Sequence, residues 1–238
     1  MNSWKDDGVT TSPWLHPEAL PAIRDALRLR LRLMPYLYSA MASAHEAHIP
    51  VLAPTFVAFE DDPACFADAD AAMFGPCLLA APILREGARE VEVYLPRGPE
   101  SWHDFWTGRV YAAGQSATIS APLNRLPLLA PAGAIVATTD SGGDYSRLHD
   151  EPSRALRVFP GAGEGTSRAV LFEDDGISPI GASTRVTITL SWTASRVRAE
   201  VGASGNYSLP YDEMRVIVLE DESRTVELSG ADGIRLRL

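Results

Sequence analysis

Cysteine is nearly absent from this chain. Cys65 and Cys77 are the only two in 238 residues, too few for a disulfide framework, and Cys77 sits in an apolar run where a free thiol packs as a small hydrophobe. No run of 18 apolar residues occurs, so the sequence offers no candidate for a membrane-spanning helix. No basic segment followed by an apolar one opens the chain. These absences predict a cytoplasmic protein without a membrane partner. Bases are also short, 21 Lys and Arg against 31 Asp and Glu, giving a formal charge of −10. Phosphate backbones are held by basic faces, so no nucleic-acid partner is expected. Internal repeats and low-complexity tracts are missing as well.

What is present is core material. The chain is 46% hydrophobic, enough for one large domain or two small ones. Its 18 glycines and 18 prolines are spread out, which suits many short strands joined by turns.

Residues 1–16 carry no period and read as a loop. A helix is expected from near Pro17, with Glu18 in its favourable first turn. Strict alternation from Leu27 to Leu33 would fit a strand, but the helical register Ile23, Leu27, Leu31, Met34, Tyr38, Met41 explains a longer span. Helix is therefore expected, with a kink at Pro35 that starts a second helix to about Ala47. Pro50 to Phe59 reads as a strand, followed by an acidic loop at Asp61 and Asp62. From Met73 onward, short strands with regularly spaced turn signals indicate a β-sandwich. Past a Gly/Asp/Ser-rich loop near Gly142 to Pro152, further strands are expected at Ala155–Phe159, Ser167–Glu173, Arg185–Trp192, Arg196–Val201, Glu213–Leu219 and Thr225–Leu228.

Several short motifs suggest chemistry that their spacing does not support. His45-Glu46-Ala47-His48 has histidines three apart where a zincin helix needs four, so a solvent-facing helix end is expected. Asp140-Ser141-Gly142-Gly143 resembles a nucleophile loop but reads equally as a turn. The glycines of Gly161 to Gly165 lack dinucleotide-site spacing and predict a hairpin loop. Glu173, Asp174 and Asp175 lack the alternating ligands of a calcium loop, and Asp175-Gly176 suits a hairpin turn. No cofactor and no metal are expected. Tyr94, Trp102, Phe105, Trp106 and Tyr111 have three possible placements: core, domain junction or sugar-stacking platform. Aromatics at sandwich strand ends more often fill the first two.

One block, FGPCLLAAPILREGAREVEVYLPRGPESWHDFWTGRVY from Phe74 to Tyr111, carries a resemblance. It is similar to glycoside hydrolase family 31, the α-glucosidase and α-xylosidase family, where Gly-x-x-Leu-Leu-Val-Ala-Pro-Val is followed by Val-Tyr-Leu-Pro-x-Gly and Trp-Tyr-Asp-x-Trp-Thr-Gly. PWLHPEALPAIRDALRLRLRLMPYLYSAMASAH resembles the family's Pro-Trp segment, its arginine-bearing helix and its Leu-x-Pro-Tyr-Leu-Tyr run. VLAPTFVAFEDDP resembles the last barrel strand, with Ala53 where arginine is usual. APLNRLPLLAPAGAIV and LFEDDG match later family segments in the family's order.

The resemblance implies a mainly β fold: two C-terminal antiparallel β-sandwich domains preceded by a helical remnant of a (β/α)8 barrel. The pieces would be residues 1–60 (loop, kinked helix pair, last strand), 61–150 (proximal sandwich) and 151–238 (distal sandwich). Such enzymes retain configuration with two aspartates, nucleophile and acid/base, whose carboxyls lie roughly 5–5.5 Å apart. Both belong to earlier barrel strands, so no catalytic residue is carried over and the chain is expected to be inactive alone. The opening MNSWKDDG resembles a family loop whose histidine touches the sugar; Asn2 stands at that position with Trp4 nearby, and both are candidate substrate-binding residues. The expected partners are an oligosaccharide or α-glycoside substrate in the full-length enzyme, and either the missing barrel or a second copy of the chain. The alternative is a stand-alone, non-catalytic carbohydrate-binding or assembly module.

Overall fold

The computed structural model describes residues 3–4, 10–67, 70–139, 154–178, 180–219 and 224–238. The chain begins with β1 (Ser3–Trp4) and β2 (Thr10–Thr11), which pair antiparallel. Helices α1 (Leu20–Arg32) and α2 (Met34–Ala47) follow. Helix is thus the outcome for the ambiguous arginine-leucine run. Pro35 lies in the first turn of α2, where a missing N–H costs least, and the break falls at Leu33. The N–H of Thr139 donates to the Arg32 carbonyl at 2.8 Å, satisfying one of the carbonyls α1 leaves open at that break. His48 ends α2 in the left-handed region at φ 57°.

The buried face of the helix pair differs from the expected register. Leu27 is 55% and Met41 59% exposed, whereas Leu33, Tyr36, Leu37 and Ala40 are buried. The break at Leu33 restarts the helical phase, so a single stripe drawn across both helices misassigns the face. Tyr36 anchors α2 to the rest of the molecule. Its hydroxyl donates to the Phe74 carbonyl at 2.7 Å and accepts from the Cys77 N–H at 3.0 Å. Gly75 makes this approach possible: at φ +67° it has no β-carbon, and one there would lie 2.5 Å from the Tyr36 hydroxyl.

The expected strand at Pro50–Phe59 shrinks to β3 (Leu52–Pro54), followed by the single helical turn α3 (Thr55–Ala58). Asp62 accounts for the change of direction after it. Its carboxylate accepts from Ala64 N, Arg97 N and the Tyr94 hydroxyl, capping the 3-10 turn Pro63–Phe66.

The rest of the chain is β: β4 (Ala72–Phe74), β5 (Leu78–Ala80), β6 (Glu90–Leu95), β7 (Ser101–Asp104), β8 (Val110–Ala112), β9 (Gln115–Ser120), β10 (Leu128–Pro131), β11 (Ala134–Thr138), β12 (Arg154–Phe159), β13 (Gly165–Asp174), β14 (Ser183–Trp192), β15 (Arg196–Gly205), β16 (Glu213–Val218), β17 (Thr225–Gly230) and β18 (Arg235–Arg237). A six-stranded sheet has the order β3-β4-β5-β10-β7-β8, and β6 pairs with β9. Met73, Leu79, Val93, Leu95, Trp102, Ile119 and Leu129 fill the core that joins these two layers. Two four-stranded sheets, β11-β12-β16-β18 and β13-β14-β15-β17, enclose a further core. In β14 Val186, Ile188, Leu190 and Trp192 point inward while Arg185, Thr187, Thr189 and Ser191 do not. This is the period-2 alternation of a half-buried strand. A core of Leu33, Tyr36, Leu37, Leu78, Phe105, Leu128, Val136 and Phe159 binds the helix pair to both regions.

Two expectations need correction here. The sheets are not wholly antiparallel: β12–β16, β15–β17 and β16–β18 pair parallel. Long intervening segments permit this, since parallel neighbours cannot be joined by a tight turn. The glycines of Gly161–Gly165 do not close a hairpin, because β12 and β13 lie in different sheets and the loop crosses from one layer to the other. The Asp175-Gly176 signal does fall between the antiparallel strands β13 and β14, but β13 ends at Asp174 and β14 starts at Ser183, too far apart for a two-residue turn.

Candidate functional site

Of the two candidate substrate residues, Asn2 lies outside the described residues, and Trp4 sits in β1 with its backbone opposite Thr10. The Asp140-Ser141-Gly142-Gly143 motif also lies outside them. His45 and His48 are exposed at the end of α2. Among the described residues no cluster of three or more His, Cys, Asp or Glu side chains could hold a metal ion.

The tryptophan-rich block resolves into a built turn. Asp104, buried at the end of β7, accepts from the N–H groups of Trp106 and Thr107 at 2.8 Å each. Trp106 donates its indole N–H to the Leu126 carbonyl at 2.8 Å. Gly108 completes the turn at φ +74°, and a β-carbon there would lie 2.3 Å from the carbonyl oxygen of Leu219. Arg157 of β12 sits 4.4 Å from the Phe105 ring centroid and donates to the Phe105 carbonyl at 3.1 Å. The Trp-His-Asp-Phe-Trp-Thr-Gly run is therefore the joint between the six-stranded sheet and the β11–β12 sheet. Trp102 and Phe105 are core, while Tyr94, Trp106 and Tyr111 are half-buried, so the five aromatics form no single platform.

His103 stands in that joint where the family pattern has tyrosine. It is 1% exposed, its Nε2 lies 3.4 Å from Ser101 Oγ, and its ring is 5.9 Å from that of Phe159. Burial pushes its pKa down to about 4; Glu100 opposes and Arg224 reinforces the shift. A cleft of about 590 Å³ opens alongside, lined by Glu100, Ser101, His103, Tyr111 and Arg224. Glu100 accepts from Gly163 N and Arg224 donates to the Gly161 carbonyl, so these charges fasten the sheet-crossing loop. A neutral buried imidazole in such a setting is a packing and hydrogen-bonding group.

The Leu-Phe-Glu-Asp-Asp-Gly segment is likewise structural. Glu173 forms a bidentate pair with Arg154 at 2.7 and 2.9 Å and accepts from the Tyr211 hydroxyl at 2.9 Å. Burial, then the adjacent Glu173 charge, raises the Tyr211 pKa. Asp174 accepts from Tyr38 of α2 at 2.8 Å. Asp175 accepts from Ile177 N, Ser178 N and the Ser178 hydroxyl; these bonds, the hydroxyl's first, lower its pKa to about 2. All three carboxylates that invited a calcium reading are held by protein donors.

The sequence reading did not single out His103, although a histidine in place of tyrosine in the Trp-x-Asp-x-Trp-Thr-Gly pattern was a usable signal. It also missed a groove between α1 and the loops at 83–89 and 121–127, whose lining residues are scattered through the chain.

Residues 48–136 match the glycosyl hydrolase family 31 C-terminal domain. Alpha-glucosidase 2 of Bacillus thermoamyloliquefaciens is 34% identical over 167 residues, which are 69% of this chain and 20% of that protein. The alpha-xylosidase of Saccharolobus solfataricus is 32% identical over 171 residues, 70% of this chain and 22% of that one. The crystal structure of the family 31 alpha-xylosidase from Xanthomonas citri superposes with a TM-score of 0.67 and 28% identity, covering 89% of this chain and 23% of that one. A Flavobacterium johnsoniae family 31 dextranase complexed with isomaltotriose gives a TM-score of 0.66 and 27% identity, over 76% of this chain and 23% of its own. The chain spans about a fifth of the length of the curated relatives it matches. It belongs to glycoside hydrolase family 31, of which it carries the C-terminal portion.

Proposed function

We propose that this chain is the non-catalytic C-terminal part of a retaining α-glycosidase of the α-glucosidase or α-xylosidase type. In this reading the helix pair within residues 1–60 completes a (β/α)8 barrel, the six-stranded sheet with β6 and β9 forms the proximal sandwich, and the two four-stranded sheets form the distal one. β3 and β11 therefore fall across the expected bounds at residues 60 and 150. The two sandwiches brace the barrel, and Asn2 and Trp4 are the candidate contacts to the sugar. Asn2 offers a hydrogen bond to a sugar hydroxyl but takes no charge. The two aspartates of the retaining reaction belong to barrel strands that precede this segment, so the 238-residue chain hydrolyses nothing by itself.

The observation that carries this reading is the extent of the match, two thirds of this chain against one fifth of alpha-glucosidases and an alpha-xylosidase. Exposure supports it. Seven large apolar residues at least half exposed, Trp14, Leu15, Leu27, Met41, Ile49, Leu52 and Val57, lie within residues 1–60, as many as in all the other described residues together. Apolar surface of that kind is normally covered by a neighbouring element. The test is hydrolysis of nitrophenyl α-glucoside and α-xyloside by the purified chain. No release above the blank is expected. Turnover that persists through repurification and scales with chain concentration overturns the reading.

A further inference from the structure

Bases are outnumbered in this chain, 21 against 31 acids, yet four arginines converge on one groove. The groove runs between α1 and the loops at 83–89 and 121–127 and has a volume of about 700 Å³. Arg30 reaches it from the helix, Arg85 and Arg89 from the first loop, and Arg125 from the second. Among the described residues none of the four pairs with a carboxylate. Arg89 donates to the neighbouring Ala88 carbonyl, and Arg125 lies over the Trp106 ring at 5.7 Å. One carboxylate, Glu86, shares the lining. Asp25, close by, is engaged with Arg28 and Asn124.

The walls of the groove are apolar and uncovered. Leu33, Leu37 and Leu128 make a buried floor, while Leu84 is 66%, Leu123 65% and Leu126 39% exposed. An acidic protein that gathers a net positive rim around bare leucines has the complement of a ligand with an apolar body and an anionic head. The volume falls in the range of small-molecule pockets, which are mostly apolar with a few convergent polar groups. We propose that this groove is a binding site for a small amphipathic anion. The apolar body lies along Leu84, Leu123 and Leu126, and the anionic head faces Arg30, Arg85, Arg89 and Arg125.

The test is calorimetric titration of the full chain with dodecanoate and, separately, dodecylammonium, both below their micelle-forming concentrations. Saturable one-to-one binding of dodecanoate is expected, with dodecylammonium weaker by about tenfold or more, the span of roughly two exposed ion-pair contributions. Arg85→Glu/Arg89→Glu lies in an exposed turn and should remove the preference for the anion. Leu84→Asp, at an exposed wall position, should weaken dodecanoate while circular dichroism stays unchanged. Absence of saturable dodecanoate binding overturns the proposal. So does equal binding of the cation, or dodecanoate affinity that survives the double arginine reversal.

Discussion

Lowering the pH from 7 to 5 should loosen this protein through one imidazole. His103 is 1% exposed and its pKa is depressed from 6.5 to about 4, chiefly by burial. The unfolded chain therefore takes up a proton at this residue before the folded one does. The stability linked to it is fully present above about pH 6.5, is lost progressively as the pH falls towards 4, and is level below that. With these two values the loss between pH 7 and 5 is about 2 kcal/mol, rising to about 3 kcal/mol at pH 4. That is a large fraction of the roughly 5–15 kcal/mol that separates folded from unfolded domains. The upper part of the window, pH 7 to 5, is the cleaner one, because most carboxylates are still ionised there. Urea unfolding followed by tryptophan fluorescence at pH 7, 6 and 5 measures the loss. His103→Phe and His103→Gln remove the titrating group, so each should flatten the pH dependence whatever it does to stability at pH 7. An identical loss from pH 7 to 5 in the wild-type chain and both variants would refute the reasoning.

Three further outcomes follow from the packing. Glu173→Gln deprives the buried Arg154 guanidinium of its bidentate carboxylate and should cost about 3–5 kcal/mol in urea unfolding at pH 7. Gly108→Ala meets both the left-handed backbone and the Leu219 carbonyl 2.3 Å away. It should destabilise by about 2 kcal/mol or more, visible as a lower denaturation midpoint. Leu33→Ala should cost about 2–5 kcal/mol as a core truncation, whereas Leu27→Gln should stay within about 0.5 kcal/mol. Equal losses for the last pair would restore the single-stripe register that the helix break contradicts.

The strands after residue 150 were legible because their alternation is local: the inward Val186, Ile188, Leu190 and Trp192 are two apart, and no distant residue is needed to read them. The helical nature of α1 and α2 was legible for the same reason. Their buried face was not, because it depends on where Pro35 resets the phase and on Tyr36 meeting Phe74 and Cys77 from 38 and 41 residues away. Sheet membership was hidden too. Nothing near Gly161 tells that the next strand joins the opposite layer, since that choice is made by packing across the β13–β14 pair. The aromatic joint was half visible. Its residues stood out by composition, but Asp104 as the organiser of the turn and His103 as its buried neighbour emerge only when β7 is set against β12. The arginine groove left no trace in the sequence, because Arg30, Arg85, Arg89 and Arg125 share neither a motif nor a period.

The parallel pairing of β12 with β16 sets a timetable for the nascent chain. β12 begins at residue 154 and its parallel partner at residue 213. At typical translation speeds β16 leaves the ribosome about 3–12 s after β12. For that interval β12 has a neighbour on one edge, β11, and an open edge on the other. The apolar Leu156 and Val158 it carries lack the second layer until β13 to β15 have been made. Exposed strand edges recruit other chains, so a pause in translation anywhere between residues 160 and 213 would lengthen the period in which this edge is open. Chaperone dependence, if ribosome-bound intermediates of increasing length are compared, should peak in that window and fall once β16 is released.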